Sequence, residues 1–171
     1  MWIGTPFILK CGKALNEKKA DIRIQFKPPF NKLFTDVSPN ELVLRVQPDE
    51  AVYLKLTTKK PGLEGGVSHT ELDLSYKQRF QDEAKDLPDA YERLIFDVLR
   101  GDHNLFVRAD ELIAAWKIFT PILHQLQREK VKPTIYEFGS RGPKEADDLT
   151  HRYGYVRTEK YQWNKPEAAK L

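Results

Sequence analysis

The segment ELVLRVQPDEAVYLKLTTK, residues 41–59, carries the clearest structural signal in this chain. Apolar and polar residues alternate through both of its halves, and Pro48-Asp49-Glu50 is short enough to be a hairpin turn between them. Alternation with a period of two indicates antiparallel strands with one buried face and one wet face. The residues predicted to point inward are Leu42, Leu44, Val46, Val52, Leu54 and Leu56.

The same alternation appears on both sides of that segment. Residues 20–27 and 71–77 each place apolar side chains on one face and polar side chains on the other. Residues 6–11 form a fifth candidate strand, and residues 133–138 form a short later one. The segments expected to be exposed loops are residues 27–40 and 61–70.

From Pro88 onward the apolar residues recur with the period of a helix. Pro88 and Gly101 mark the start and end of a first predicted helix. Asp110 is predicted to cap a second helix, which contains Pro121. A third is predicted between residues 142 and 154. The expected fold is α+β, with a large, mainly antiparallel sheet and helices packed on one of its faces. No linker is evident, so residues 1–171 are expected to form a single domain.

Composition excludes several classes of protein. The chain has 171 residues, of which 40% are hydrophobic, and 28 Lys+Arg against 25 Asp+Glu give a net charge of +3. A chain with this composition is not expected to be disordered, and the near balance of charge indicates neither a nucleic-acid nor a membrane partner. The first residues lack the features of a signal peptide. One cysteine, Cys11, excludes an internal disulfide and suits a reducing compartment. The expected location is the cytosol.

The common catalytic and metal-binding motifs are missing from this sequence. It contains no Gly-x-Gly-x-x-Gly, no phosphate-binding Gly-x-x-x-x-Gly-Lys-Ser/Thr loop and no Gly-x-Ser-x-Gly. Its four histidines have no partner at the spacing of a metal site. No catalytic residue and no metal ligand is therefore predicted.

The polar side of the predicted sheet is rich in cations. Arg23, Arg45 and Lys55 fall on the same side of separate strands, and residues 10–27 contain six Lys/Arg against two acidic residues. One interpretation is a solvated face whose charges prevent edge-to-edge aggregation. The other is an anion site, because phosphates favour several converging cations.

A second cluster lies late in the chain. Arg141 precedes a predicted helix N-terminus, a place where free backbone N–H groups attract anions. Trp163 follows among basic residues that include Arg157. Trp163 either packs the tail against the fold or stacks on a nucleotide base or a nicotinamide ring. Spacing alone leaves both interpretations open.

Four strings resemble glucose-6-phosphate dehydrogenase of the eukaryotic type. They are FILKCGKALNEKKA (7–20), RVQPDEAVY (45–53), LPDAYERL (87–94) and GSRGPKEAD (139–147). The resemblance extends over residues 2–163 and corresponds to the C-terminal part of that enzyme. The family's N-terminal dinucleotide-binding domain, with its glycine-rich fingerprint, and the histidine motif that supplies its general base have no counterpart here.

The resemblance implies an oxidoreductase of carbohydrate metabolism, which transfers hydride from glucose 6-phosphate to NADP at the entrance of the pentose phosphate pathway. It also implies a homodimer or homotetramer assembled through the sheet. Substrate-binding positions are matched by Lys13, Lys18 and Gln47. Positions that bind a second, structural NADP are matched by Lys10, Lys19, Arg23, Arg45, Tyr53, Leu54, Lys55, Asp73, Leu74, Ser75, Arg141, Arg157 and Trp163.

Without a dinucleotide fingerprint and a catalytic histidine, the isolated chain is expected to lack dehydrogenase activity. The alternative is a stand-alone nucleotide- or nucleic-acid-binding module that uses the same basic sheet. Against nucleic acid, no aromatic repeat lines the strands, and the net charge is near neutral.

Overall fold

The computed structural model describes residues 3–28, 37–63, 65–80 and 88–157. These fall into two compact units, a sheet unit (residues 1–84 and 136–171) and a helical unit (residues 85–135). The strands are β1 (Ala20–Gln25), β2 (Glu41–Gln47), β3 (Ala51–Lys59) and β4 (Val67–Ser75). The helices are α1 (Tyr76–Arg79), α2 (Ala90–Arg100), α3 (Ala109–Arg128) and α4 (Lys144–Arg152). The α+β class with an antiparallel sheet is confirmed, and the assignment of residues 1–171 to one domain stays a prediction.

The four strands form one antiparallel sheet in the order β1-β2-β3-β4. The predicted turn between β2 and β3 is confirmed. β4 begins at Val67, four residues before the predicted start, because Val67 pairs with Lys59 at the far end of β3. β4 ends at Ser75 because the next residues form α1. The predicted loop at 61–70 is correspondingly shorter, because its residues 67–70 belong to β4.

The two faces of the sheet differ sharply in chemistry. Side chains on aligned residues of neighbouring strands share a face. The aliphatic face carries two such rows, Ile22, Leu44, Val52 and Leu74, and Ile24, Leu42, Leu54 and Leu72. The opposite face, called the polar face below, carries three rows: Asp21, Arg45, Ala51 and Ser75; Arg23, Val43, Tyr53 and Asp73; Gln25, Glu41, Lys55 and Glu71.

The best-buried residues of the sheet lie on the polar face. Val43, Ala51 and Tyr53 are 0%, 1% and 2% exposed, whereas Val46 and Leu72 on the aliphatic face are 55% and 66% exposed. The alternation was therefore interpreted with the wrong face inward. The physical reason is that the segment after α4 bonds to the polar face, as described below, and shields its centre.

The predicted end of the first helix is confirmed, whereas its start lies two residues after Pro88, at Ala90, because Asp89 is the N-cap. α2 ends at Gly101, whose φ of 72° is left-handed, and the Glu92 carboxylate accepts the N–H of Asp89 at its start. α4 lies within the predicted bounds of the third helix. The prediction that Asp110 caps the second helix is wrong. Arg108 is the N-cap of α3, and Asp110 is the second residue of the helix, where its carboxylate accepts the N–H of Glu111 and binds the Arg108 guanidinium.

Two predicted strands do not form. Residues 6–11 and 133–138 are irregular and pair with no strand among the described residues. The chain near them is joined instead by an isolated bridge, in which Asn16 donates to the carbonyl of Ser140 and Gly139 donates to that of Ala14. Short alternation is a weak signal without a partner strand to complete the ladder. No described helix has an apolar stretch long enough to cross a membrane.

Candidate anion-binding site

Arg23 lies at the centre of the polar face and is held by two carboxylates. Its Nε and Nη2 donate to Asp21 Oδ2 at 3.2 and 2.8 Å, and its Nη1 donates to Glu41 Oε2 at 3.2 Å. Burial works against the charge of this guanidinium. The hydrogen bonds that Arg23 donates to Asp21, together with the charges of Asp21 and Glu41, outweigh burial and raise the pKa of Arg23 above its ordinary value. Arg23 is therefore a fixed positive charge.

Glu41 joins three parts of the sheet unit. It is 4% exposed, and its Oε2 lies 3.0 Å from the Lys55 Nζ as well as 3.2 Å from Arg23. Its other oxygen, Oε1, accepts the hydroxyl of Tyr155 at 3.2 Å. A buried carboxylate between two cations lowers their mutual repulsion and fixes their head groups side by side.

The remaining predicted residues of strands β2–β4 divide between the two faces. Arg45, Gln47, Tyr53, Asp73 and Ser75 belong to the polar face by register. Leu54 and Leu74 lie in aliphatic rows, so their side chains project away from Arg23 and Lys55. Any contribution of these two leucines to a ligand on the polar face is restricted to their backbone groups.

Arg45 and Tyr53 show how this face is ordered. Arg45 Nε donates to the carbonyl of Pro48 at 2.7 Å, which ties the guanidinium to the β2–β3 turn. Burial raises the pKa of Tyr53, so this phenol is neutral over the physiological range. At the edge, burial and the neighbouring charge of Asp73 raise the pKa of Glu71.

The later part of the chain contributes a second cationic cluster at the start of α4. Arg141 Nη2 and Lys10 Nζ lie 3.1 and 3.6 Å from the same atom, Asp147 Oδ1. Two residues more than 130 positions apart therefore converge on one carboxylate. The head groups of Arg141 and Lys10 therefore lie close together at the start of α4.

The predicted phosphate contacts near residues 13–19 are more dispersed. The carbonyl of Lys13 accepts the hydroxyl of Tyr136 at 2.8 Å. Lys19 pairs with Glu17 at 2.6 Å, and that hydrogen bond lowers the pKa of Glu17. Lys13 and Lys18 form no ion pair with a residue in the described ranges, so the structure leaves their side chains toward solvent.

The segment after α4 reaches the polar face. Gln25 Nε2 donates to the carbonyl of Val156 at 2.7 Å, and the Val156 N–H donates to Gln25 Oε1 at 2.9 Å. Together with the Tyr155–Glu41 bond, these contacts hold the two residues that precede Arg157 against the sheet. Burial, followed by the charge of Glu41, raises the pKa of Tyr155 to about 12. Trp163 lies outside the described residues.

Sequence reasoning missed four functional candidates. The acidic partners Asp21, Glu41 and Asp147 were not singled out, and neither was Tyr155. Asp21 and Arg23 are two residues apart on β1, and Glu41 lies on the same face of β2, so the alternation alone would have placed Asp21 and Glu41 beside the cations. No local pattern could have located Tyr155, because its partner lies 114 residues away.

The arrangement offers donors suited to a phosphorylated ligand. Guanidinium and ammonium groups from β1, β2 and β3 lie on one face, and charge-assisted hydrogen bonds to phosphate oxygens are the strong ones. The donor set therefore fits the phosphate groups of NADP. The acids that accompany the cations make the cluster an ordered network with little excess charge.

Comparison with known proteins identifies the family. Residues 1–164 match the family model described as "Glucose-6-phosphate dehydrogenase, C-terminal domain". Glucose-6-phosphate 1-dehydrogenase of Dictyostelium discoideum is 61% identical over 173 residues, which cover 99% of this chain and 34% of that protein. The cytoplasmic glucose-6-phosphate 1-dehydrogenase 5 of Arabidopsis thaliana is 56% identical, with coverages of 96% and 32%.

A solved structure agrees with these sequence matches. A glucose-6-phosphate dehydrogenase in complex with its substrate glucose-6-phosphate superposes with a TM-score of 0.73 at 47% identity, over 86% of this chain and 30% of that chain. This chain spans about a third of the length of the relatives it matches. It belongs to the glucose-6-phosphate dehydrogenase family, and it corresponds to the C-terminal domain.

Proposed function

We propose that this chain is the C-terminal part of an NADP-dependent glucose-6-phosphate 1-dehydrogenase. The observation that carries the proposal is the family match over residues 1–164. In the whole enzyme, hydride would pass from glucose 6-phosphate to NADP, giving the phosphogluconolactone and NADPH. The share of this chain is to bind phosphate groups and to stabilise the assembly, since it contains no candidate base and no dinucleotide fingerprint.

The polar face and the start of α4 are the proposed site of a structural NADP. Arg23, Arg45 and Lys55 would bind its phosphates, with Lys10, Lys19, Arg141 and Arg157 completing the positive surroundings. The support is their placement: three cations share one sheet face, and Glu41 holds two of them at 3.2 and 3.0 Å. NADP bound here would stabilise the folded state by mass action. Trp163 stays a predicted stacking residue.

Lys13, Lys18 and Gln47 are the proposed contacts to the sugar phosphate. Gln47 ends β2 on the polar side, and the Lys13 backbone is fixed by the hydroxyl of Tyr136. Ammonium groups that face solvent can bind a phosphate without first breaking an internal ion pair. Their proposed role is to orient the substrate and not to react with it.

The aliphatic face supports the proposed self-association through the sheet. Ile22, Val46 and Leu72 are each more than half exposed, and they come from three strands of the same face. A contiguous apolar surface of this kind is rarely left in water. We propose a homodimer or homotetramer, and a cytosolic location like that of the relatives named as cytoplasmic isoforms.

A chimera tests the proposed function. The C-terminal third of the Dictyostelium discoideum enzyme, which this chain matches at 61% identity, is replaced by the chain, and NADPH formation from glucose 6-phosphate is measured. Turnover is expected. Lys18→Ala should raise KM for glucose 6-phosphate with little change in kcat, because it removes a binding contact.

Lys59→Ala is the matched control, since Lys59 ends β3 at the opposite end of that strand from the β2–β3 turn. It should leave KM unchanged. A folded chimera without turnover, or equal KM values for the Lys18 and Lys59 variants, would contradict the proposal.

A further inference from the structure

We infer that Tyr155 and Gln25 form a latch that positions the later half of the NADP site against the sheet. The inference rests on the proposed function. Arg23 and Lys55 belong to strands, whereas Arg141 and Arg157 flank α4. A ligand that contacts both groups needs them in a fixed relation. The latch, defined as Gln25, Glu41, Tyr155 and Val156, supplies that relation through three hydrogen bonds.

The geometry of the latch is specific. The Gln25 side-chain amide donates to the Val156 carbonyl at 2.7 Å and accepts its N–H at 2.9 Å, so it bonds the backbone as a neighbouring strand would. The Tyr155 hydroxyl donates to Glu41 Oε1 at 3.2 Å. Val156 is thus fixed to β1, and its neighbour Tyr155 is fixed to β2. Such a two-point attachment sets both the position and the direction of the segment.

The latch also determines how α4 sits within the sheet unit. At the first turn of α4, Asp147 binds Lys10 and Arg141 at 3.6 and 3.1 Å. Just beyond its last turn, Tyr155 and Val156 bind the sheet. The helix is therefore anchored at both ends. Opening the latch leaves the Asp147 contacts at one end and frees the other, which carries Arg157.

Tyr155 is joined to the anion site through Glu41 and not through the ligand. Glu41 uses Oε1 for Tyr155 and Oε2 for Arg23 and Lys55. Tyr155 is thus a positioning residue: it acts on the segment that carries Arg157 and on the carboxylate that orders the two sheet cations. A ligand whose binding-competent state is only partly populated binds more weakly in proportion to that population.

The first measurement is calorimetric titration of NADP into the chain and its variants. Loss of one hydrogen bond shifts the docking equilibrium by about two- to tenfold. Tyr155→Phe removes one bond and should weaken NADP binding within about that range. Gln25→Ala removes two bonds and should weaken it at least as much, and the double variant should weaken it further. Inorganic phosphate, which is small enough to contact the sheet cations alone, should bind Gln25→Ala and the unmodified chain equally, because both latch hydrogen bonds of Gln25 go to Val156 and neither goes to Glu41.

Tyr136→Phe is the matched control. It also removes one tyrosine hydroxyl bond in the sheet unit, the 2.8 Å bond to the Lys13 carbonyl, but it lies outside the latch. Its NADP affinity should equal that of the unmodified chain. If the Tyr155 and Gln25 variants bind NADP as tightly as the Tyr136 variant, the latch is overturned.

A second measurement needs no cofactor. The Val156 amide donates to Gln25 Oε1, so it should be protected against hydrogen exchange, and Gln25→Ala should speed its exchange at least about threefold. Equal exchange in both proteins would also overturn the latch. Absence of NADP binding by the unmodified chain, with Val156 protection lost in Gln25→Ala, would instead overturn the proposed function and leave the latch standing.

Discussion

Arg23 and Lys55 share one oxygen atom. Arg23 Nη1 and Lys55 Nζ lie 3.2 and 3.0 Å from Oε2 of Glu41, although the two cations come from β1 and β3. Glu41 is on the strand between them and is 4% exposed. Two cations this close, on strands that flank β2, would otherwise repel each other in a partly dry environment. The pair is therefore held in place by the acid, at the position proposed for a phosphate.

Glu41→Gln should destabilise the chain by about 3 kcal/mol. The substitution keeps the shape of the side chain but removes the Glu41 carboxylate from both Lys55 and Arg23. Removing one member of a buried ion pair costs about 3–5 kcal/mol. The lower end applies because the Arg23 side chain is 26% exposed. Urea unfolding followed by circular dichroism measures the free energy of unfolding.

The control for that prediction is Asp110→Asn. The Arg108–Asp110 pair has similar distances, but its side chains are 81% and 69% exposed. Exposed pairs contribute little to stability. If Glu41→Gln and Asp110→Asn lost equally little stability, the claim that burial strengthens the contribution of the Glu41 ion pairs would be wrong.

Alkaline pH should destabilise the chain through Tyr155. Burial beside Glu41 raises the pKa of Tyr155 to about 12 from its ordinary value of 10.0. Between these values the unfolded chain loses the proton first, so the free energy of unfolding falls as the pH rises. Tyr155→Phe should flatten this part of the profile. Titration of the tyrosines, followed by the absorbance of tyrosinate at alkaline pH, measures this pKa. If every tyrosine ionised at its ordinary value, the expectation would be contradicted.

Gly101→Ala should weaken α2 by about 1 kcal/mol. Gly101 has φ of 72°, and L-residues adopt the left-handed region at a cost of about 1–2 kcal/mol. A Cβ here would meet no heavy atom within 4 Å, so the cost is conformational and not steric. Gly101→Asn should lose less, because asparagine tolerates this conformation. Equal unfolding free energies for the three proteins would refute this account of the helix end.

Period-two alternation was sufficient to locate all four strands of the sheet. It failed to identify the buried face, because that depends on Tyr155 and Val156, which approach from more than 110 residues away. It also overpredicted strands at 6–11 and 133–138, where alternation exists without a partner. Helix ends were predicted well at Gly101, since a glycine there has a specific conformational role.

The candidate site was predictable in its cations and not in its acids. Arg23, Arg45 and Lys55 share a face by parity, which sequence spacing gives directly. Their pairing depends on inter-strand register, which places Glu41 between Gln25 and Lys55. The convergence of Lys10 and Arg141 on Asp147 joins distant segments, and local patterns carry no information about it.

The isolated chain should show no dehydrogenase activity. Its sequence contains no glycine-rich dinucleotide fingerprint and no histidine that matches the family's base motif, so neither hydride acceptor nor proton acceptor is positioned. NADPH formation from glucose 6-phosphate and NADP is measured by absorbance, with a mock purification as control. Saturable turnover by the purified chain would show that it contains an unrecognised catalytic centre.

The most direct test of the polar face as an NADP site is a pair of calorimetric titrations, one with NADP and one with NAD. The 2′-phosphate adds charge-assisted hydrogen bonds, worth about 1.5–3 kcal/mol each. NADP should therefore bind at least about tenfold more tightly than NAD, and Arg23→Ala should remove most of that preference. Equal affinities for the two dinucleotides, or no binding of either by the folded chain, would contradict the account.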